Sequence, residues 1–483
     1  MNVVMGEQAK FTSLLSLLIL CWSMGLKAME TAEAYHLLMR SGFGATPQAV
    51  ADLSALRYEE ALSGLLAGMR TTTRTSPPEG VHQFPDQKHR QNSEEITAEK
   101  RKLINQQRQL KSLQLKSWWI REMMQTDSPL TERLVLFWHN HFTSSLRQVR
   151  WPELIYQQNK LFRKHLLGNY REFLESVTFD PAMVIYLDSQ NNRAGKPNEN
   201  YARELLELFT LGEGHYSEDD IKGAALALTG ISINRRSGDV RILPRRHSRD
   251  EKHFFGQRGN FGPKEIINII LAQPRAAEHL VEKLWREFIS PYPERSEVER
   301  LAALFRDGDY ELRPLMKALF NSKSFRDPNN YGQLIKSPIE MVVGAVELFD
   351  LSVAPEVLVQ AVRIMGQDIL DPPSVKGWPG GKEWVNSQSL VERQKFLLQL
   401  VRGEWLPGEQ MLVRKGLIDT QRRERQASLS LWDKQMAAGV ISLEDLHYSF
   451  LGSYASKEGR AELQYADSRA AEAWLNEIAF QLK

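Results

Sequence analysis

The sequence predicts a mainly α protein: a large multi-helix domain with a small β-hairpin, an N-terminal signal segment and a C-terminal helical tail. Many segments repeat apolar residues at intervals of three and four, as amphipathic helices do. Hydroxyl residues followed by proline, such as Thr46-Pro47 and Ser128-Pro129, mark helix starts. Only residues 231–243 alternate polar and apolar side chains around a glycine turn, which predicts one hairpin.

Five regions follow from these signals along the 483 residues, of which 42% are hydrophobic and can form a large core. Residues 71–95 contain threonines, prolines and few aliphatic residues, which indicates a polar linker. The predicted regions are a signal peptide (1–28), N-terminal helices (29–70), the polar linker (71–95), the main helical domain (96–402) and the C-terminal helical tail (403–483).

The first 28 residues indicate export. Residues 11–22 form an apolar run that small residues follow, as in a secretory signal peptide, and the run is too short for a transmembrane span. A buried first helix is the alternative interpretation. Cys21, the only cysteine, lies in this run; lipidation there is less favoured because bulky Leu20 precedes it. We therefore expect a periplasmic or secreted protein without a transmembrane anchor.

The formal net charge of +2 gives no electrostatic reason to expect nucleic acid as a partner. The predicted helix over residues 97–125 does have a basic face. A solvated surface is the favoured interpretation of this face, and nucleic-acid binding is the other. Its cationic residues are Lys100, Arg101, Lys102, Arg108, Lys111 and Lys116.

A predicted helix over residues 198–211 carries the main catalytic candidates. At about 100° per residue, Arg203, Glu204 and Glu207 lie on one polar face, where Arg203 can pair with Glu207. One interpretation is a salt-bridged solvated face. The other is a pocket wall on which Arg203 orients a carboxylate while Glu204 and Glu207 bind a divalent metal or move protons.

Two histidines in Trp138-His-Asn-His-Phe142 are the candidate partners of those carboxylates. If the two helices pack together, His139 or His141 with Glu204 and Glu207 forms a plausible site for zinc, iron or manganese. A hydrogen-bonded core histidine is the alternative, and the favoured one for His141.

Two further segments suggest ligand binding. The basic stretch 245–253, with His247 as a substrate contact, suits an anionic polymer, although a solvated loop of mixed charge is favoured. Trp378 and Trp384 lie on a glycine-proline turn, where exposed rings would bind a sugar or a protein partner. Burial of both rings in the main core is equally compatible with the sequence.

Read in order, these motifs resemble a bacterial family catalogued as domain of unknown function 1800. The resemblance covers residues 32–400 and depends on six motifs. These are His36-Leu-Leu-Met-Arg-Ser-Gly-Phe-Gly-Ala-Thr-Pro47, Trp138-His-Asn-His-Phe142, Pro197-Asn-Glu-Asn-Tyr-Ala-Arg-Glu-Leu205, His247 with Lys252 and Phe255-Gly-Gln257, Lys336-Ser-Pro-Ile-Glu340, and Pro373-Ser-Val-Lys-Gly-Trp-Pro-Gly-Gly381 with Trp384.

The resemblance implies an exported, largely helical protein of unassigned activity. Members are often encoded beside another exported family that resembles sulfatases and alkaline phosphatases, which implies a partner or shared substrate. One departure is Ser248, where members commonly have aspartate; Asp250 would have to substitute for it. We expect a metal-assisted hydrolase of an envelope or extracellular substrate, with a non-catalytic polymer- or partner-binding protein as the alternative.

Overall fold

A computed structural model describes residues 28–82, 97–234, 237–419 and 478–483. The predicted signal segment, apart from Ala28, lies outside the described residues, as do Cys21, residues 83–95 of the linker and most of the tail. The structure is 60% helical with two small two-stranded sheets, which confirms the mainly α class. None of the described helices has the length and apolar character needed to cross a membrane.

Twenty α-helices form the described structure. In the first half they are α1 (Thr31–Ser41), α2 (Pro47–Ser54), α3 (Tyr58–Ala67), α4 (Ala98–Gln125), α5 (Pro129–His141), α6 (Leu146–Val149), α7 (Pro152–His165), α8 (Tyr170–Thr178), α9 (Pro181–Tyr186), α10 (Asn200–Glu204) and α11 (Glu218–Ala227). In the second half they are α12 (Pro263–Leu271), α13 (Pro274–Phe288), α14 (Arg295–Asp307), α15 (Leu312–Phe320), α16 (Lys323–Arg326), α17 (Pro338–Leu348), α18 (Pro355–Ile364), α19 (Ser387–Val401) and α20 (Glu409–Arg414).

The predicted helix starts at Pro47 and Pro129 are confirmed. The Thr46 hydroxyl accepts a hydrogen bond from the Ala49 backbone N–H at 3.2 Å, which satisfies an N–H group that the first turn of α2 leaves unpaired. The Ser128 side chain makes no capping hydrogen bond to α5; its hydroxyl lies 2.8 Å from that of Thr131.

The predicted hairpin is present as β1 (Ile231–Ile233) paired antiparallel with β2 (Val240–Ile242). A second hairpin, β3 (Lys252–Phe254) with β4 (Gln257–Gly259), was not predicted. Its buried Lys252 amine donates to the Ser248 carbonyl at 2.8 Å and to Asn260 Oδ1 at 2.6 Å. Phe254 is the one large apolar residue of these two strands, so they show no alternation of apolar and polar side chains.

One hydrophobic core joins the N-terminal helices to the rest of the protein. Arg40 of α1 donates to the Ile289 carbonyl at 3.1 Å, and the Tyr58 hydroxyl of α3 donates to the Phe320 carbonyl. Within the predicted linker, Thr75 donates from its backbone N–H and its hydroxyl to Glu122 of α4. The boundaries of the five regions remain a prediction.

The segment predicted as one helix over residues 198–211 changes its winding halfway. Asn200–Glu204 is α-helical, and Leu205–Thr210 is a π-helix. A π-helix hydrogen-bonds i to i+5, so residues four apart no longer lie one above the other. The regular spacing assumed from the sequence therefore fails at Glu207.

Candidate functional site

A cavity of about 680 Å³ opens beside α5. Its walls come from one face of α5, the end of α13, residues 333–340, the loop 376–384 and Lys483 of the C-terminal segment. This volume lies within the range of small-molecule sites in proteins. The cavity also collects several motifs that carry the family resemblance, and we take it as the candidate site.

Helix α5 supplies the floor of the cavity. Arg133, Phe137, Asn140 and His141 line it. Their spacing of three and four residues places them on one face of the helix. Nearly every other residue of α5 is also buried, so the helix is enclosed by packing and its cavity-facing groups have fixed positions.

The loop that carries Trp378 is fastened to α5 by Asn140. The Asn140 side-chain oxygen accepts a hydrogen bond from the Trp378 backbone N–H at 2.7 Å. Gly377, with φ of 84°, approaches so closely that an added Cβ would lie 2.2 Å from the same oxygen. Only glycine combines this left-handed backbone conformation with so close a contact.

Trp378 and Trp384 both line the cavity, and both are part of the core. Their exposed fractions are 4% and 7%, so most of each ring is packed in the core, which is one of the two outcomes compatible with the sequence. The Trp378 ring also lies 5.6 Å from the His139 ring. Tyr292, by contrast, is 72% exposed at the cavity and is its most accessible aromatic ring.

Cationic side chains outnumber carboxylates around the cavity. The six cations are Arg133, Lys283, Arg286, Lys376, Lys382 and Lys483, and the two carboxylates are Glu287 and Glu340.

Both carboxylates are already engaged by buried cations. Arg133 contacts Glu287 at 2.5 Å and also pairs with Glu340. Lys483 pairs with Glu340 as well. Burial alone would raise the pKa of Glu340, but Arg133 and Lys483 lower it below its usual value. Both carboxylates are thus engaged by Arg133 and Lys483. Of the other four cations, Arg286 pairs with Glu282 at 3.6 Å and Lys376 with Glu207 at 3.9 Å, both outside the cavity lining, whereas Lys283 and Lys382 have no carboxylate within salt-bridge distance among the described residues.

Lys283 is the most distinctive of those remaining cations. Its amine donates to the Leu208 carbonyl at 3.2 Å, and no carboxylate among the described residues lies within salt-bridge distance of it. Burial and the neighbouring Arg286 lower the pKa of Lys283 to about 8. The Leu208 carbonyl lies in the last turn of the π-helix, where carbonyls lack a backbone partner within the helix, and His279 Nε2 also lies 3.2 Å from it.

Glu204 and Glu207, the carboxylates predicted as catalytic, lie near Lys376 of the cavity loop, residues 376–384. Glu207 accepts a hydrogen bond from the Tyr216 hydroxyl at 2.9 Å and lies 3.9 Å from the amine of Lys376, which lines the cavity. Burial, and then the charge of Glu207, raise the pKa of Glu204. These two carboxylates are neighbours, as the sequence predicted.

Arg203 does not pair with Glu207. It contacts Glu218 at 2.9 Å and Glu199 at 3.3 Å instead. The change to π-helical winding after Glu204 removes the four-residue stacking on which the expected pair depended.

His139 and His141 lie among aromatic rings, both about 2% exposed. The Tyr170 hydroxyl donates to the Phe209 carbonyl at 2.6 Å, so His141 Nε2, 3.3 Å from that hydroxyl, must be the donor to it. Burial lowers the pKa of His139 to about 3 and that of His141 well below its usual value. Both imidazoles are therefore neutral at pH 7.

The predicted metal ligands are His139, His141, Glu204 and Glu207. Within the described ranges, no group of three or more His, Cys, Asp or Glu side chains is arranged to hold a metal ion. His141 lines the cavity, whereas Glu204 and Glu207 interact with Lys376 and Tyr216. A divalent metal remains a prediction from the sequence.

His247 is not among the residues that line the cavity. Its Nδ1 donates to the Thr229 carbonyl at 2.9 Å, which ties the loop after β2 to the end of α11. Ser248, which stands where family members commonly have aspartate, donates from its hydroxyl to Asp250 at 2.8 Å. Asp250, the residue that would have to substitute for that aspartate, therefore contacts residue 248 directly.

Sequence reasoning did not identify Arg133, Lys283 and Lys483 as site residues. Arg133 had a signal, because it lies eight residues before His141 on the same helical face. Lys283 and Lys483 had none, since only tertiary packing brings α13 and the C-terminal segment to the cavity.

A comparison with protein families gives a match that covers most of the chain. A family model described as "Protein of unknown function (DUF1800)" matches residues 36–481. Neither the comparison with curated proteins nor that with solved structures gives a match.

Proposed function

The chain belongs to the DUF1800 family of proteins of unknown function, and we propose that it binds an anionic saccharide in the cavity beside α5. The ligand class is a sulfated, phosphorylated or uronic sugar, in keeping with the anionic polymer expected from the sequence. The observation that carries this proposal is the excess of six cations over two carboxylates on an aromatic cavity wall.

Two cavity cations, Lys283 and Lys382, support an anionic ligand, because neither has a carboxylate within salt-bridge distance among the described residues. Glu287 and Glu340 are both engaged by Arg133 and Lys483. The partly buried amine of Lys283 has a carbonyl as its only hydrogen-bond partner among the described residues. Such an amine is poorly solvated, so an anionic group that reaches it gains more than it would at an exposed lysine.

The aromatic side chains support a saccharide as the carrier of that charge. Trp378, Trp384 and Tyr292 all line the cavity. The phenol ring of Tyr292, 72% exposed, offers an apolar face for the C–H groups of a sugar, whereas Trp378 and Trp384, 4% and 7% exposed, present only a small part of their rings to the cavity. The Trp378 indole N–H and Arg133 Nε are buried without a hydrogen-bond partner in the described structure. A small movement on ligand binding would let them donate.

Isothermal titration calorimetry on the intact protein tests this proposal. The ligands are a sulfated, a phosphorylated and a uronic disaccharide, each compared with its neutral counterpart. We expect binding of at least one anionic sugar, at least tenfold tighter than the neutral form, that weakens as salt rises. Equal affinity for charged and neutral forms, or no binding of any sugar, would overturn the proposal.

A matched pair of variants assigns the binding to the cavity. Lys382→Gln removes a cavity cation, and Lys395→Gln removes an exposed lysine of α19 outside the cavity lining. Only the first is expected to weaken binding. Equal effects of both would point to non-specific attraction by the protein surface.

Hydrolysis of the bound saccharide is the second candidate function. It is favoured by the neighbouring carboxylates Glu204 and Glu207, of which Glu204 has a pKa raised by burial. Such a pair can divide the roles of general acid and base. The loop residue Lys376 links Glu207 to the cavity. No step is derived through a metal, because the described residues do not group as a metal site.

Release of reducing ends tests this second function. Glu204→Gln is expected to abolish release while leaving binding intact, and the exposed Glu213→Gln is the control. If the unaltered protein binds an anionic sugar and releases no reducing ends, hydrolysis is excluded and binding stands. We further propose that the protein acts outside the cytoplasm, with an exported protein resembling sulfatases or alkaline phosphatases as its partner.

A further inference from the structure

A second concave surface of about 800 Å³ lies on another part of the described structure. It is a groove whose walls are α4, the end of α18, the helix α20 and the turn after α6. Its lining shares no residue with the cavity beside α5.

One stripe of α4 forms a wall of the groove. The stripe consists of Asn105, Arg108, Gln109, Ser112, Leu113 and Lys116, spaced by three and four residues. At a rise of about 1.5 Å per residue it is roughly 16 Å long, the length of three helical turns. The basic face that the sequence favoured as a solvated surface therefore contributes to a concave one.

Positive charge in the groove exceeds negative charge. Cationic residues from all four walls line it together with Asp368 and Asp371. Lys116 pairs with Asp368, and Arg147 contacts Asp371 at 3.3 Å. The remaining cations include the exposed Arg150, Arg363 and Lys415, and these three have no carboxylate within salt-bridge distance among residues 28–82, 97–234, 237–419 and 478–483.

The uncharged part of the lining consists of four polar residues, Asn105, Gln109, Ser112 and Gln360, and of aliphatic ones. Leu113, Leu146, Val359 and Leu412 lie in the groove, and Met411 and Leu417 are each 38% exposed there. Among the residues that the structure describes, no Phe, Tyr or Trp lines it. Aliphatic side chains between cations suit a leucine-rich face bordered by carboxylates, whereas a saccharide would favour aromatic rings.

We propose that this groove docks an acidic amphipathic helix of a partner protein, about three turns long. The apolar face of that helix would cover Met411 and Leu417, and its carboxylates would pair with Arg150, Arg363 and Lys415. The charge complementarity selects an acidic partner, and the length of the α4 stripe sets the length of its helix.

Fluorescence anisotropy tests the docking with a labelled 14-residue helical peptide that has leucines on one face and glutamates on the other. A peptide of the same composition in scrambled order is the first control. On the protein, Arg363→Glu with Lys415→Glu reverses two groove charges. As the control, Arg414→Glu reverses an exposed charge at the end of α20, next to Lys415 but outside the groove lining.

We expect the ordered peptide to bind at least tenfold tighter than the scrambled one. The double variant should weaken binding at least tenfold, and Arg414→Glu less than twofold. Equal binding of both peptides, or equal effects of the two sets of variants, would overturn the proposal. Displacement of the label by a heparin oligosaccharide at lower concentration than by unlabelled peptide would also overturn it, because a polysaccharide would then be the better occupant.

Discussion

Replacing Gly377 with alanine tests how the cavity loop is held against α5. Gly377 has φ of 84°, a left-handed conformation that costs alanine about 1 kcal/mol. Its new Cβ would also lie 2.2 Å from Asn140 Oδ1 and 2.8 Å from the Asn140 carbonyl oxygen. Since both are far inside contact distance, the loop must move away from α5.

That movement breaks the hydrogen bond from the Trp378 backbone N–H to Asn140. A buried polar group left without its partner costs about 1–3 kcal/mol. We therefore expect Gly377→Ala to lower the free energy of unfolding by about 2–4 kcal/mol in total.

Gly381→Ala in the same loop is the matched control. Gly381 also has a positive φ, of 58°, but an added Cβ there meets nothing within 4 Å. It should lower the free energy of unfolding by only about 1 kcal/mol. Urea unfolding followed by circular dichroism measures both variants. Equal losses in the two would refute the account of the loop as fastened through Asn140.

Three further predictions concern buried polar groups. Burial lowers the pKa of His139 to about 3, so the unfolded chain takes up a proton at a higher pH than the folded protein, and the free energy of unfolding falls as the pH drops below about 6.5. His139→Gln should reduce the loss of stability between pH 7 and 5 by about 2 kcal/mol, as measured by urea unfolding at each pH. An unchanged loss in the variant would contradict this. Burial lowers the pKa of Lys336 to about 7, so the free energy of unfolding should instead rise between pH 7.5 and 9.5. Lys336→Met should remove about 2 kcal/mol of that rise, and a rise of unchanged size in the variant would contradict this. Tyr58→Phe leaves the Phe320 carbonyl without its donor and should cost about 1–3 kcal/mol, whereas Tyr292→Phe at an exposed position should cost almost nothing.

The sequence predicted those parts of the fold that local signals determine. Thr46-Pro47 and Ser128-Pro129 each precede a helix, and residues 231–242 form the expected hairpin. The π-helix at Leu205–Thr210 could not be predicted from a helical wheel, because a helical wheel assumes about 3.6 residues per turn throughout and this segment departs from that geometry. For the same reason the pairing of Arg203 with Glu207 was wrong.

The candidate site was predictable only in fragments. Trp378, Trp384 and His141 do line one cavity, and Glu204 and Glu207 are neighbours beside its loop. The excess charge of the cavity depends on Lys283, which is unpaired among the described residues, and on Arg133 and Lys483, which engage both carboxylates; these three residues lie far apart in sequence. Excess charge on a cavity wall depends on which ion pairs form, and these depend on tertiary packing.

In the proposed complex an anionic group on a sugar binds beside Lys283. Calorimetry with a sulfated disaccharide and its desulfated form, on the unaltered protein, on Lys283→Gln and on Lys317→Gln, measures whether it does. Lys317 is an exposed residue of α15 outside the cavity lining and serves as the control. We predict at least tenfold preference for the sulfated sugar, about 1.4 kcal/mol, in the unaltered protein and the control, and a clear loss of that preference in Lys283→Gln. A preference that survives in Lys283→Gln, or is absent from the unaltered protein, would contradict the account.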